Sequence, residues 1–238
     1  MNKTKIEWTD KTWNPITGCD QESEGCKNCY AKKMANRLHS MKNPRYINNF
    51  KVTVHEDLFH KPLTIKQPSI IFVCSMSDLF HKDVPDKAIE EIYNVMVQAK
   101  QHIFQVLTKR PERMYEFLKD KDVPDNIWVG VSVELSKYQN RIDLIKKINA
   151  EVKFLSCEPL LGSLKENDFS GIDWIVTGGE SGSKARAIDK EWVREIRDKC
   201  KEKNIPFFFK QWGGWNKKKN GHEIDGEVYK EMPFGKNN

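Results

Sequence analysis

The chain has 238 residues, of which 38% are hydrophobic and 31% are charged, and its formal net charge is +6 at pH 7. This length fits a single α/β domain over residues 1–238 better than two domains. The apolar residues form compact runs, which excludes a wholly disordered chain. No run approaches the roughly 18 apolar residues of a membrane span. The first ten residues hold no apolar signal segment, so we expect a cytoplasmic protein without a membrane partner.

The first quarter of the chain predicts two short strands, over residues 6–8 and 52–55. Between them lie a cysteine-rich loop at residues 18–30 and a helix over residues 31–38. The second strand alternates apolar and polar residues, which is typical of an exposed or edge strand.

From residue 70 onward one unit recurs, namely a short apolar run, a polar cluster and a segment with helical spacing of its apolar residues. The runs predict strands over residues 70–74, 102–107, 127–131, 152–155, 172–176 and 206–209. Helices are predicted over residues 86–100, 111–118, 141–148 and 190–202. Apolar strands joined by crossovers indicate a parallel sheet that is covered on both faces. We therefore predict an α/β fold, a partial or complete TIM-like (β/α) barrel with a peripheral tail from about residue 216.

Polar and charged residues follow these strands directly. This position matters because ligands bind at the carboxyl ends of the strands in parallel α/β folds. The residues in question are Ser75, Ser77, Asp78, Lys109, Arg110, Ser132, Glu134, Glu158, Glu180 and Lys210. Ordinary turn chemistry explains the serines, but it explains less well the Glu, Lys and Arg residues after buried runs. We predict a polar cavity ringed by these side chains.

Three of the six cysteines, Cys19, Cys26 and Cys29, share one loop with the spacing Cys-x6-Cys-x2-Cys. Crowded thiols in a cytoplasmic chain are typical of a metal site rather than of disulfides. Three thiolates fit an iron–sulfur cluster that keeps one iron open for a non-protein ligand. They also fit a structural zinc site if a distant residue such as His39 supplies a fourth ligand. The residues alone leave both alternatives open.

The chain resembles the radical S-adenosylmethionine (radical SAM) superfamily, which also has a three-cysteine loop after a first strand, then a helix and a series of strand–helix units. It resembles more closely a phage- and prophage-encoded three-cysteine-motif family of unknown function. That resemblance rests on motifs at residues 6–15, 25–31, 107–114, 156–162, 177–182 and 208–213, which span nearly the whole chain.

The superfamily resemblance implies a [4Fe–4S] cluster on Cys19, Cys26 and Cys29, with S-adenosylmethionine bound to the fourth iron. Reductive cleavage would then give a 5′-deoxyadenosyl radical, with the cofactor supplying the chemistry and the protein positioning it. This chain departs from the usual superfamily pattern, Cys-x3-Cys-x2-Cys, in its longer first gap. Its Gly-Gly-Glu motif also follows a late strand instead of the second one.

Each candidate residue has an expected role. We expect Glu158 and Lys210 to act in catalysis, because a carboxylate at a strand end can exchange protons or orient cofactor hydroxyls, and a lysine there can have a lowered pKa or pair with a glutamate. Glycines permit close approach of a ligand and carboxylates accept from an ammonium group. The expected cofactor-binding residues are Ser75, Ser77, Asp78, Glu134, Gly178, Gly179 and Glu180. Lys109 and Arg110 are expected to bind substrate, since arginine can hold a carboxylate or phosphate at two points.

The phage setting favours nucleic acid or a nucleotide as the substrate, and the positive net charge permits such a contact. Two other interpretations stay open. A zinc-stabilised module would bind nucleic acid without catalysis. A barrel without activity of its own would act only through a partner protein.

Overall fold

The computed structural model describes residues 2–4 and 6–233. Its strands, in chain order, are β1 (Asn2–Lys3), β2 (Lys11–Trp13), β3 (Ile16–Thr17), β4 (Thr53–Val54), β5 (Ile70–Val73), β6 (Ile103–Thr108), β7 (Ile127–Ser132), β8 (Lys153–Cys157), β9 (Trp174–Gly178), β10 (Phe207–Gln211), β11 (Glu223–Ile224) and β12 (Glu227–Val228). Its helices are α1 (Tyr30–Ser40), α2 (Asp86–Gln98), α3 (Pro111–Leu118), α4 (Gln139–Ile145), α5 (Lys190–Lys203) and α6 (Lys217–Asn220).

One eight-stranded sheet runs in the order β1-β2-β5-β6-β7-β8-β9-β10. β1 is antiparallel to β2, and the other neighbouring strands are parallel. The two edge strands of this sheet are β1 and β10. The sheet therefore curls into an open half-barrel and does not close into a complete barrel. The predicted α/β fold is confirmed, and of its two forms the partial barrel is the one observed.

The outer face of the sheet packs on the helices. Phe104 on β6 and Val129 on β7 share one buried cluster with Ile89 and Ile92 of α2. Strand side chains alternate between faces, whereas α2 repeats its apolar residues at helical spacing, so both elements present a continuous apolar surface. α3 begins at a proline, whose missing N–H costs nothing in the first turn of a helix.

The inner face of the sheet carries a second group of buried side chains, which we call the inner aromatic cluster. Its aromatic members are Trp8, Phe72, Trp128, Phe154, Trp174 and Phe208. Their rings meet mostly in tilted or edge-on pairs, for example Trp128 with Trp174 at a centroid distance of 6.0 Å. Such pairs add to the stabilisation that comes from apolar burial.

The first predicted strand is wrong. Residues 6–8 form a turn between β1 and β2, and Trp8 is buried in the inner aromatic cluster. The alternation of Ile6, Glu7 and Trp8 reflects burial of this ring inside the half-barrel and not strand pairing. The strand predicted over residues 52–55 is confirmed as β4, which pairs with β3 in a separate two-stranded sheet.

Candidate functional site

The cysteine loop, residues 18–30, starts beside the carboxyl end of β5. Gly18 donates its N–H to Met76 O at 3.0 Å and has a φ of +87°. A Cβ atom on Gly18 would lie 2.1 Å from Lys51 O, so only glycine fits there. This close approach places Cys19 at the edge where the parallel strands end.

The three cysteines of the loop are free thiols of intermediate burial. The N–H of Cys29 donates to Cys26 O at 3.1 Å, and Cys29 is the residue directly before the first turn of α1. Burial, and after it the Asp78 carboxylate, raises the pKa of Cys19 to about 12, while the nearby Arg110 guanidinium acts in the opposite direction. Three accessible thiols in one loop are a donor set that suits a thiolate-bound iron–sulfur cluster.

The same region offers little for a zinc ion. The candidate ligand atoms of Cys19, Asp20 and His81 lie within 4.8 Å of one another. However, Nδ1 of His81 accepts the N–H of Asp83 at 3.1 Å, which leaves the ring proton on Nε2. That Nε2 lies 3.0 Å from Asp20 Oδ1, so a metal bound there would have to displace the Nε2 proton or the Asp83 hydrogen bond. His39, named as a possible fourth ligand, contacts Tyr46 O through Nδ1 at 2.8 Å and does not belong to this group of close ligand atoms.

Glu134 lies directly beneath the cysteine loop and is fully buried. Its Oε1 accepts from Ser23 Oγ at 2.6 Å and lies 3.1 Å from Lys109 Nζ, while its Oε2 lies 3.1 Å from Arg141 Nη1. Burial acts to raise the pKa of Glu134, but these partners lower it overall. A Cβ on Gly25 would lie 2.3 Å from this carboxylate. Glu134 thus holds the cysteine loop through Ser23, and its charge is balanced by Lys109 and Arg141.

Glu180 of the Gly-Gly-Glu motif holds the other end of the same loop. Its Oε2 accepts from Asn28 Nδ2 at 2.8 Å and from the N–H of Arg186 at 2.9 Å. Burial acts to raise the pKa of Glu180, yet its bonds to Arg186 and Asn28 lower it overall. A Cβ on Gly179 would lie 2.1 Å from Trp212 O, so this glycine lets two chain segments meet behind Glu180.

Asp78 organises the cations that follow β6. It accepts from Thr108 Oγ1 at 2.7 Å, from the N–H of Lys109 at 3.1 Å and from Arg110 Nη1 at 3.0 Å. Burial acts to lower the pKa of Arg110, whereas Asp78 and Cys19 raise it overall, so its guanidinium stays charged. Lys109 and Arg110 are therefore paired with carboxylates of the site, and a role in substrate binding stays a prediction.

Glu158 and Lys210 form an ion pair at the carboxyl edge, with 3.0 Å between Lys210 Nζ and Glu158 Oε1. Neither side chain is fully buried, with 22% of Lys210 and 15% of Glu158 exposed. Among residues 2–4 and 6–233, the other carboxylate oxygen, Oε2, has a single long contact, 3.5 Å from Ser156 Oγ. A Cβ on Gly178 would lie 2.8 Å from Glu158 Oε1, so this glycine makes room for the pair.

Ser75 and Ser77 are satisfied within the protein. Ser75 Oγ donates to Asn14 Oδ1 at 3.1 Å, and its carbonyl oxygen accepts from the Tyr30 hydroxyl. Ser77 Oγ donates to Ile16 O at 2.8 Å. Both serines tie the end of β5 to the segments that precede the cysteine loop.

Sequence reasoning missed several residues that hold the site. Ser23 and Asn28 lie between the cysteines, and their position beside expected metal ligands was an available signal. Tyr30 directly follows Cys29 and is 57% exposed, which was a weaker signal. No sequence pattern indicated Arg186, because it lies in an irregular segment and its partner, Glu24 O, is 162 residues away in the chain.

The family described as "Protein of unknown function (DUF5131)" matches residues 3–233. The chain belongs to the DUF5131 family. No curated protein sequence matches it. In the described part of this DUF5131 protein, no helix combines the length and apolar character that crossing a membrane requires.

Solved structures of spore photoproduct lyase are similar to this chain. The complex with dinucleoside spore photoproduct is 12% identical, with a TM-score of 0.54 over 83% of this chain and 62% of that chain. A double mutant with bound AdoMet and dinucleoside spore photoproduct is 12% identical, with a TM-score of 0.53 over 83% and 62%. The DUF5131 chain thus spans about three-fifths of the length of those chains. At such identity the likeness shows a shared fold.

Proposed function

We propose that this DUF5131 protein is a radical-SAM-like iron–sulfur enzyme that forms a 5′-deoxyadenosyl radical from S-adenosylmethionine. The observation that carries the proposal is the cysteine loop itself, which presents three free thiols at the carboxyl edge of a half-barrel. A related fold with bound AdoMet supports it, as does the resemblance of the sequence to the radical SAM superfamily.

Cys19, Cys26 and Cys29 would hold the cluster. When bound, a [4Fe–4S] cluster with S-adenosylmethionine supplies the electron for reductive cleavage. The contribution of the protein is to fix the loop before the cofactors arrive. Glu134 bonds to Ser23 and Glu180 bonds to Asn28, so two buried carboxylates on different strand ends hold the loop at two points.

Glu158 and Lys210 are the residues that we propose for catalysis. Their ion pair is partly exposed, so a ligand at the carboxyl edge can reach it. Oε2 of Glu158 is free to accept a hydrogen bond from a hydroxyl or ammonium group, because its contact with Ser156 is long. Lys210 pairs with the other oxygen, Oε1, of Glu158 and can also donate to an incoming oxygen.

Nucleic acid or a nucleotide is the substrate class that we propose. The matching lyase structures contain a dinucleoside spore photoproduct, and the DUF5131 chain has the net positive charge that favours binding of a polyanion. Its substrate would reach the carboxyl edge, where the strands present the Glu158–Lys210 pair.

Anaerobic reconstitution with iron and sulfide tests the proposal. We expect about four irons per chain and an absorption band at about 400 nm, as thiolate-bound clusters show. Reduction in the presence of S-adenosylmethionine should release 5′-deoxyadenosine. Cys26→Ala should lose both signals, whereas Cys200→Ala, which changes a buried thiol on α5, should keep them.

Two outcomes would overturn the proposal. Stoichiometric zinc without iron would favour the nucleic-acid-binding module. A loaded cluster that yields no 5′-deoxyadenosine with any reductant would favour a barrel that acts through a partner protein.

A further inference from the structure

Cys19 differs from the other two cysteines of the loop in its polar contacts. Arg110 Nη1 lies 3.6 Å from Cys19 Sγ, within reach of an N–H···S hydrogen bond. Cys26 has a neutral hydroxyl near its sulfur, with 3.8 Å between Ser23 Oγ and Cys26 Sγ. Within residues 2–4 and 6–233, Cys19 alone among the three receives a hydrogen bond from a cationic side chain.

The guanidinium of Arg110 is held on several sides. Nη1 also donates to Asp78 Oδ2 at 3.0 Å, and Nη2 contacts Asp20 and lies 3.3 Å from Glu22 Oε2. Only 12% of the Arg110 side chain is exposed. A planar group fixed by several carboxylates loses little further freedom when it donates to a sulfur.

The support continues behind Asp20. His81 Nε2 lies 3.0 Å from Asp20 Oδ1, and the His81 side chain is only 1% exposed. Asp78, on the other side, is fixed by its hydrogen bond from Thr108 Oγ1 at 2.7 Å. The direction in which Arg110 presents Nη1 to Cys19 is therefore set by two separate parts of the chain.

The long first gap of the cysteine motif separates Cys19 from the other two cysteines, and Arg110 contacts the separated cysteine. Cys26 and Cys29 share one turn, since the N–H of Cys29 bonds to Cys26 O. Cys19 instead follows the end of β3, and six residues separate it from Cys26. Arg110 extends from the junction of β6 and α3 and reaches across to it.

We propose that Arg110 is a positioning residue that donates an N–H···S hydrogen bond to Cys19 and raises the reduction potential of the cluster. The inference rests on the proposed function. A hydrogen bond and a positive charge at a ligand sulfur stabilise the reduced cluster, which carries one more negative charge. The chain thereby makes the cluster easier to reduce, and it does so at one sulfur.

A redox titration of the reconstituted protein, followed by electron paramagnetic resonance, tests this role. Arg110→Gln removes the charge, and Arg110→Lys keeps the charge without the planar donor fork. We expect the midpoint potential to become more negative in the order wild type, Lys variant, Gln variant. Arg194→Gln is the matched control, because this arginine lies on α5 and pairs with Asp225.

The outcomes separate this inference from the proposed function. Iron content and potential are read on the same sample, so a purely structural role would lower iron content and leave the potential of the loaded fraction unchanged. That result, or equal potentials in all variants, would overturn the inference alone. If the Gln variant takes up no cluster, the Lys variant decides by the same measurement. A wild-type chain that binds no cluster overturns the proposed function and this inference with it.

Discussion

The inner face of the sheet has two regions that are held together in different ways. Towards the amino ends of the strands, β7 and β9 contribute Trp128 and Trp174 to the inner aromatic cluster. Towards the carboxyl ends, the same face presents Ser132 and Gly178, and β10 adds Lys210 two residues after Phe208. Side chains on one face recur every second residue, so the change from aromatic to polar takes only one or two steps along a strand.

This difference separates residues that stabilise the fold from residues of the candidate site along a single face. Aromatic burial is non-directional and contributes a large share of stability. Buried carboxylates such as Glu134 gain little net stability, because the cost of removing charges from water offsets their attraction. Their hydrogen bonds are directional, however, and direction is what the cysteine loop requires.

Trp174→Ala should have the largest effect on stability. The ring is fully buried and contacts Trp8, Trp128 and Phe154, so its removal leaves a large cavity. We expect a loss of about 3–5 kcal/mol in the free energy of unfolding, measured by urea denaturation. Iron content per folded chain after reconstitution should not change. A loss below about 1 kcal/mol would show that the inner aromatic cluster does not contribute the stability assigned to it.

Glu134→Gln should have a smaller effect on stability and a larger one on the site. The substitution leaves Lys109 and Arg141 without their buried counter-charge, so we expect a loss of about 2–3 kcal/mol. Iron bound per chain should fall, because Ser23 no longer bonds to a charged acceptor. Full iron loading in this variant would contradict the view that Glu134 holds the loop.

A glycine-to-alanine substitution can be made in each of the two regions, the aromatic one and the one at the carboxyl edge, so their responses can be compared. A Cβ on Gly130 would lie 2.4 Å from the Phe154 ring, and a Cβ on Gly25 would lie 2.3 Å from Glu134. Each alanine substitution should cost about 1–3 kcal/mol through overpacking. Only Gly25→Ala should also lower iron content. Equal loading of both variants, measured by iron analysis, would remove the distinction between the two regions.

We expect the smallest of these effects from acid, which should reduce the contribution of Glu134 to the free energy of unfolding. The pKa of Glu134 in the folded chain lies below its ordinary value of 4.5. Its contribution is therefore complete above pH 4.5 and is lost as the pH falls through the folded-state value. The difference in unfolding free energy between wild type and Glu134→Gln should shrink on acidification. A difference that stays constant from neutral to acidic pH would contradict this assignment.

The sequence predicted most of the secondary structure because periodicity is a local property. α3 begins at Pro111 and ends at Leu118 as expected, and the observed β6 is displaced by one residue from its prediction. Trp8 was assigned wrongly because a short apolar run cannot distinguish a strand from a turn that buries its side chain. The parallel order of strands also followed from their apolar character.

The partners of the polar residues could not be predicted in this way. Glu134 and Ser23 are 111 residues apart in the chain, and Arg110 and Cys19 are 91 residues apart. Nothing in the local pattern distinguishes a carboxylate that faces a cofactor from one that holds the loop, since both follow a buried strand.

The amino-acid sequence by itself determined the parallel α/β sheet, the grouping of three thiols in one loop and the set of charged residues at the strand ends, but not whether the barrel closes. Only the tertiary structure decided which of these charges pair with each other and which stay accessible. The physical reason is that strand and helix formation depend on near neighbours, whereas hydrogen bonds and ion pairs depend on angstrom-scale distances between distant segments.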